Sequence, residues 1–269
     1  MPKARKKRGQ NRYGTMLEKI FFNRFRRNTA EVRFKRTDLE DTAEKLGIKL
    51  PKNLGDVLYS VRYRTPMPRR IVATQPQGVQ WVIEGVGRAE YVFKLVKINR
   101  IVPNSALRKI KIPDATPEII AAYALSDEQA LLARVRYNRL VDIFLGIAAY
   151  SMQNHLRTTV RGIGQIEIDE VYVGLDSQGR QYVLPVQAKS GNDQLSVIQT
   201  KQDIACCAEK FPNLICRALS AQFMAQDVIA LFELTVEEQE VRIVDEKHYR
   251  LVPADQISTE DLQSYSRTA

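Results

Sequence analysis

The sequence predicts a protein of mixed class, α+β or α/β, built from two modules, and three observations carry that expectation. Apolar residues are first spaced as in amphipathic helices (Leu17, Ile20, Phe21, Phe25) and then, in QWVIEG and AEYVFKLVK, as in strands. Residues 165–191, QIEIDEVYVGLDSQGRQYVLPVQAKSG, read as two strands about a turn, followed by a helical run and another apolar strand. Charge also divides the chain. Residues 1–110 hold 26 Lys and Arg against 9 Asp and Glu, a net +17, whereas residues 111–269 hold 15 against 22, a net −7, within the overall +10. A basic first half beside an acidic second half suggests a polyanion-binding module joined to something else.

Residues 1–12, MPKARKKRGQNR, are rich in Lys and Arg, lack acids and offer little to bury, which predicts a flexible basic arm. Its use is contact with nucleic-acid phosphate or solubility alone. A short amphipathic helix follows from Thr15 to Arg27. A second helix is capped by Thr37 or Asp38 and closed by Gly47. A third, over residues 53–63, carries Leu54, Val57, Leu58 and Val61. IVAT and QWVIEG then flank a Pro76-Gln77-Gly78 turn, and AEYVFKLVK supplies a further strand.

Three short helices followed by strands with tight turns resemble a winged helix-turn-helix, here covering residues 13–100. The resemblance implies a DNA-binding domain whose third helix enters the major groove while a hairpin touches the backbone. It makes Lys52, Asn53, Arg62, Arg64, Arg69 and Arg70 the contact candidates, since Asn and Arg read base edges and Lys and Arg hold phosphates. Tyr59 and Tyr63 are expected in the core. A winged helix used for protein contacts is the alternative.

Pro103, Pro113 and Pro117 mark residues 101–125 as a linker. From Ser126 to Leu156 apolar residues recur at helical spacing, predicting one long helix with Gly146 as a point of interruption. Beyond the strand pair, DQLSVIQTKQDIACCAEKF predicts a helix ending before Pro212, with Gln199 and Lys201 expected in solvent and a role in steering DNA as the alternative. LICRALSAQFM predicts a buried strand, with Phe211 and the cysteines in the core. EVRIVDEKHYRLV predicts one or two edge strands, and the last dozen residues are expected to fray.

The strand pair at 165–191 carries the chemistry. If paired residue numbers sum to 356, Val173 faces Val183, Val171 faces Pro185, Asp169 faces Gln187 and Glu167 faces Lys189. One face then has an apolar end and a polar end, and the opposite face, with Ile168, Glu170 and Tyr172, is mostly core. A plain cross-strand ion pair between Glu167 and Lys189 would account for part of the pattern. A site for a hard divalent cation accounts for more: Asp169 offers a carboxylate, Gln187 a carbonyl oxygen, and Lys189 a cation beside a phosphate.

The arrangement Asp169…Gln187-Ala188-Lys189 resembles the PD-(D/E)xK phosphodiesterase motif in its QxK variant, with Ile168 where the motif name has Pro and Gln187 in place of the second acid. The resemblance implies a restriction-endonuclease-like αβββαβ core over residues 126–269, with Mg²⁺ as cofactor, held by Asp169 and Gln187, and Lys189 assisting the attacking water. Glu167 and Glu170 are reserve catalytic acids. In that superfamily a helix before the sheet often lends an acid. A helix antiparallel to the first hairpin strand brings Asp142, rather than Glu128, near Asp169, with pairing to Arg139 as the other role for Asp142. The function implied is a type II-like, sequence-specific restriction endonuclease acting on double-stranded DNA, as a homodimer, beside a cognate DNA methyltransferase. The alternatives are a DNA-binding regulator whose nuclease core is weak or inactive, and a structure-specific DNA-repair nuclease.

Other classes find little support. Cys206, Cys207 and Cys216 lack zinc-type spacing, and their odd number suggests a reducing compartment. His155 and His248 form no recognisable metal or triad motif. No apolar run approaches a membrane span, so no membrane partner and a cytoplasmic location are expected.

Overall fold

The computed structural model describes residues 12–51, 54, 57, 67–97, 101–123, 128–189, 195–224, 228–238 and 240–266. The chain divides into two compact units, residues 1–98 with 161–164, and residues 99–160 with 165–269.

The first unit contains α1 (Arg12–Arg24), β1 (Glu31–Lys35), α2 (Arg36–Leu46), α3 (Arg69–Val72), β2 (Val79–Gly87) and β3 (Glu90–Lys97). Its antiparallel sheet has the order β1-β3-β2. The helical spacing of Met16, Leu17, Ile20 and Phe21 puts all four into the core, where the Phe21 ring meets Phe25, Trp81 and Phe93 at centroid distances of 4.8–5.2 Å. Asp38 accepts the Lys35 N–H at 2.6 Å from the third helical position of α2, so Lys35, not Thr37 or Asp38, is the capping residue. Gly47 closes that helix at φ +63.

Two expectations need correction here. IVAT is not a strand: Pro68 starts a helical turn that buries Ile71, and the Trp81 indole N–H donates to Thr74. The hairpin is therefore β2 with β3, and β1 joins it as a strand missed in the sequence. The third helix cannot be followed, because Lys52, Asn53, Tyr59, Arg62, Tyr63 and Arg64 lie outside the described residues. Leu54 and Val57 are described, and both are buried.

The second unit contains β4 (Lys109–Pro113), α4 (Glu118–Tyr123), α5 (Glu128–Tyr137), α6 (Leu140–Leu145), β5 (Ala148–Val160), β6 (Gly164–Leu175), β7 (Gln181–Lys189), α7 (Val197–Lys210), β8 (Ile215–Cys216), β9 (Ala218–Phe223), β10 (Val228–Glu237), β11 (Glu240–Val252) and α8 (Thr259–Ser266). They build an eight-stranded mixed sheet of order β4-β11-β10-β9-β7-β6-β5, with β8 also pairing with β7. Leu131, Leu132, Val135, Leu140 and Phe144 of α5 and α6 share a core with Tyr172, Leu184, Val186 and Leu231 of the sheet. On the other side of β7, Gln187 meets Thr200 of α7.

Here too the structure revises the sequence reading. Residues 101–125 are not a linker: β4 pairs in parallel with β11, from Lys109 opposite His248 to Pro113 opposite Val252. The long helix breaks twice, at Arg139 (φ +50) and Gly146 (φ +67), and residues 148–160 are a strand. β11 is interior rather than an edge, and the final segment forms α8, with Asp261 accepting from Lys111 at 2.8 Å. Gln199 is buried, not in solvent.

The pairing of β6 with β7 follows the sum of 356 from Glu170 opposite Val186 to Leu175 opposite Gln181. Gly174 lets β5 approach: a Cβ there would stand 2.9 Å from the Ala148 carbonyl oxygen and 3.1 Å from Ile147. Gly174→Ala is therefore expected to destabilise the second unit by about 1–3 kcal/mol in urea unfolding, because a backbone atom has to give way.

Candidate active site

Strand alternation sorts the acids of β6 onto two faces. Glu170 is fully buried on the helical-layer face, where Oε1 accepts from Arg136 Nε at 2.8 Å and from Ser151 Oγ at 2.5 Å. It takes no part in the polar cluster. Asp169 and Glu167 occupy the other face. Asp169 Oδ2 accepts the Ala188 N–H at 2.9 Å, tying it to the strand that carries Gln187 and Lys189. The expected Glu167–Lys189 pair does not form. Glu167 faces β5 instead, binding Arg157 and His155, each at 3.1 Å.

Lys189 donates to Glu128, at the start of α5, at 2.8 Å. Glu128 is thus the helix acid beside the cluster, and Asp142 is not. Asp142 accepts from Arg139 and from the Ala149 N–H at 3.0 Å, a role set by the break that turns the predicted helix into β5. Asp142 would come near Asp169 only on an unbroken helix, and the helix breaks at Arg139 and Gly146.

Gln187 is 1% exposed, and its Nε2 donates to Thr200 Oγ1 at 2.6 Å while Oε1 has no hydrogen-bond partner. Three positions along α7, Asp203 is 2% exposed and its Oδ1 likewise has no partner. Ser220, opposite Gln187 in the parallel β7–β9 pairing, has a third buried oxygen of this kind. Burial pushes the Asp203 carboxyl well above its ordinary range; the charge of Asp169 adds to this and Lys189 opposes it. Burial also raises Asp169, against Lys189 and the Ala188 N–H, with Glu128 and Glu167 raising it further. These five groups share one electrostatic environment.

The donor atoms suit a hard divalent ion. Asp169, Asp203 and Gln187 offer only oxygen, and two of those oxygens are buried without partners, a costly state that a cation relieves. Among the described residues no group of three or more His, Cys, Asp or Glu is placed to hold a metal ion, so an ion here would have two carboxylates and an amide, with water at its other positions. Sequence reasoning missed Asp203. The available signal was spacing: Gln199, Thr200, Gln202 and Asp203 are polar residues turned toward the sheet, in a helix whose buried face should be apolar.

Of the DNA-contact candidates, Arg69 is exposed. Arg70 lies over the Phe22 ring at 5.0 Å and 3.7 Å from Glu18, with most of its side chain in solvent. No protein-family model matches the chain, and no curated protein or solved structure does either.

An aspartic acid held neutral by burial ionises in the unfolded chain from its ordinary value of 3.8 upward. Unfolding then releases a proton, and stability falls as pH rises from there toward the folded-state value. Asp203→Asn is expected to flatten that fall in metal-free urea titrations run upward from about pH 4. An unchanged slope would assign it to another group.

Proposed function

We propose that this chain is a Mg²⁺-dependent endonuclease of restriction type that hydrolyses phosphodiester bonds of duplex DNA. One observation carries the reading: Asp169, Gln187 and Lys189 sit at the end of one hairpin, Asp169 tied to the Gln187–Lys189 strand, with Asp203 of α7 within electrostatic reach. The order helix, three-stranded meander, helix, parallel strand in the second unit supports an αβββαβ core. In the first unit, the sheet order β1-β3-β2 with helices between its strands supports a winged helix carrying the DNA contacts.

Asp169, Asp203 and Gln187 would hold the ion, which supplies neutralising charge at the phosphate and a more acidic bound water. Lys189 orients the attacking water and offsets charge on the phosphate oxygens. Glu128 fixes the lysine through the hydrogen bond it accepts from Nζ. Water attacks phosphorus in line and gives up a proton to solvent as the P–O3′ bond breaks, and the leaving oxygen takes a proton from solvent in return. Double-strand cleavage calls for two such sites, hence a homodimer, and a methyltransferase of matching specificity to protect host DNA.

Supercoiled plasmid with Mg²⁺ is expected to give discrete linear fragments. Nicking alone would favour a repair-type nuclease, and intact plasmid with retained DNA binding a regulator. Lys189→Ala is expected to lower cleavage by at least about 100-fold while sparing DNA affinity; a variant that still cuts would remove the site assignment.

In the first unit, Arg62→Ala or Arg64→Ala is expected to weaken binding and to reduce the slope of log affinity against log salt by about 1. Unchanged slopes in both would take that module off the DNA.

A further inference from the structure

β5 ends the larger sheet, and among the described residues no strand covers its outer edge. Six consecutive residues of it, Tyr150 to His155, are exposed, Tyr150 by 58% and Met152 by 44%. On the adjoining elements, Ile143 of α6 and Leu175 of β6 are exposed by 45% and 46%. A cavity of about 430 Å³ lies beside the strand, lined by Arg136, Arg139, Asp142, Tyr150 and Ser151 together with Tyr172.

Free strand edges are normally guarded by Lys, Pro or a bulge, since unpaired N–H and C=O groups template pairing with another chain. Residues 148–154, AAYSMQN, contain no such guard. The first irregularity is His155, at φ +49. The segment also contains no charge. It can therefore lie antiparallel against a second copy of itself across a two-fold axis without opposing like charges, whereas an acidic or basic partner gains nothing from it. At its rim the exposed Arg139 is paired with the largely buried Asp142, so its charge is already countered within one copy.

We propose that residues 148–154 of β5 form a dimerisation surface, at which two copies of this chain pair edge to edge about a two-fold axis. The pairing satisfies both orphan edges, buries Tyr150 and Met152, and sets the cavity beside the strand against side chains of the other copy. Its purpose, supplying two active sites for two DNA strands, rests on the nuclease reading. Its geometry does not.

Light scattering on the full chain at micromolar concentration, without DNA or metal, is expected to give twice the 30.7 kDa of one chain. Met152→Lys is expected to return it to one, whereas Ile119→Lys, on α4, leaves the dimer intact. A thiol-specific cross-linker is expected to join Met152→Cys chains and not wild type, a substitution mild enough to keep the fold. A wild-type mass of one chain, a dimeric Met152→Lys, or no cross-link from Met152→Cys would each overturn the proposal. Cleavage separates it from the nuclease reading. If both hold, Met152→Lys nicks plasmid instead of linearising it; a dimer that never cuts upholds the surface and removes the nuclease.

Discussion

The chemistry of the second unit depends on the pairing of β6 with β7. With Val173 opposite Val183, strand alternation leaves no freedom over which acids share a face. Glu170 goes to the helical layer and Arg136; Asp169 goes toward Gln187, Lys189 and α7. A slip of one residue would bury Asp169 among Leu131 and Val135 and drive Tyr172 into the polar layer. The apolar partners Val171, Val183 and Val186, all fully buried, hold that register against slippage.

A second constraint follows from the first. The layer between α7 and the sheet contains Gln187, Thr200, Asp203 and Ser220, all nearly or fully buried. Polar groups taken from water without partners cost free energy, and three oxygens in this layer have none. An apolar layer would be more stable. The chain keeps a polar one, and the raised carboxyls of Asp169 and Asp203 are its electrostatic signature.

The hairpin was legible because its signal is local: two alternating strands, a turn closed by Asp176 and Gly179, and a parity rule that orders the side chains. β5 was not legible. Leu145, Ala149, Met152 and Leu156 recur at spacings that suit a helix, and only the left-handed backbone at Arg139 and Gly146 redirects the chain. That error carried Asp142 into the proposed metal set and left Glu128 out. β4 was masked by flanking prolines, yet Pro113 sits at a strand end where no ladder N–H is required of it. The interior position of β11 depends on a partner far earlier in the chain, which no local pattern reports.

That long-range partnership shapes how the chain is made. The first unit draws nearly all of its strands and helices from one early stretch, so it can fold while synthesis continues. The larger sheet cannot close until β11 emerges to take its place between β10 and β4. Until then β4 has no neighbour, and the apolar run Val228–Phe232 lies uncovered on one edge. The second unit should thus mature late and slowly, as expected for sheets assembled from distant segments, with the basic first unit already folded ahead of it on the nascent chain.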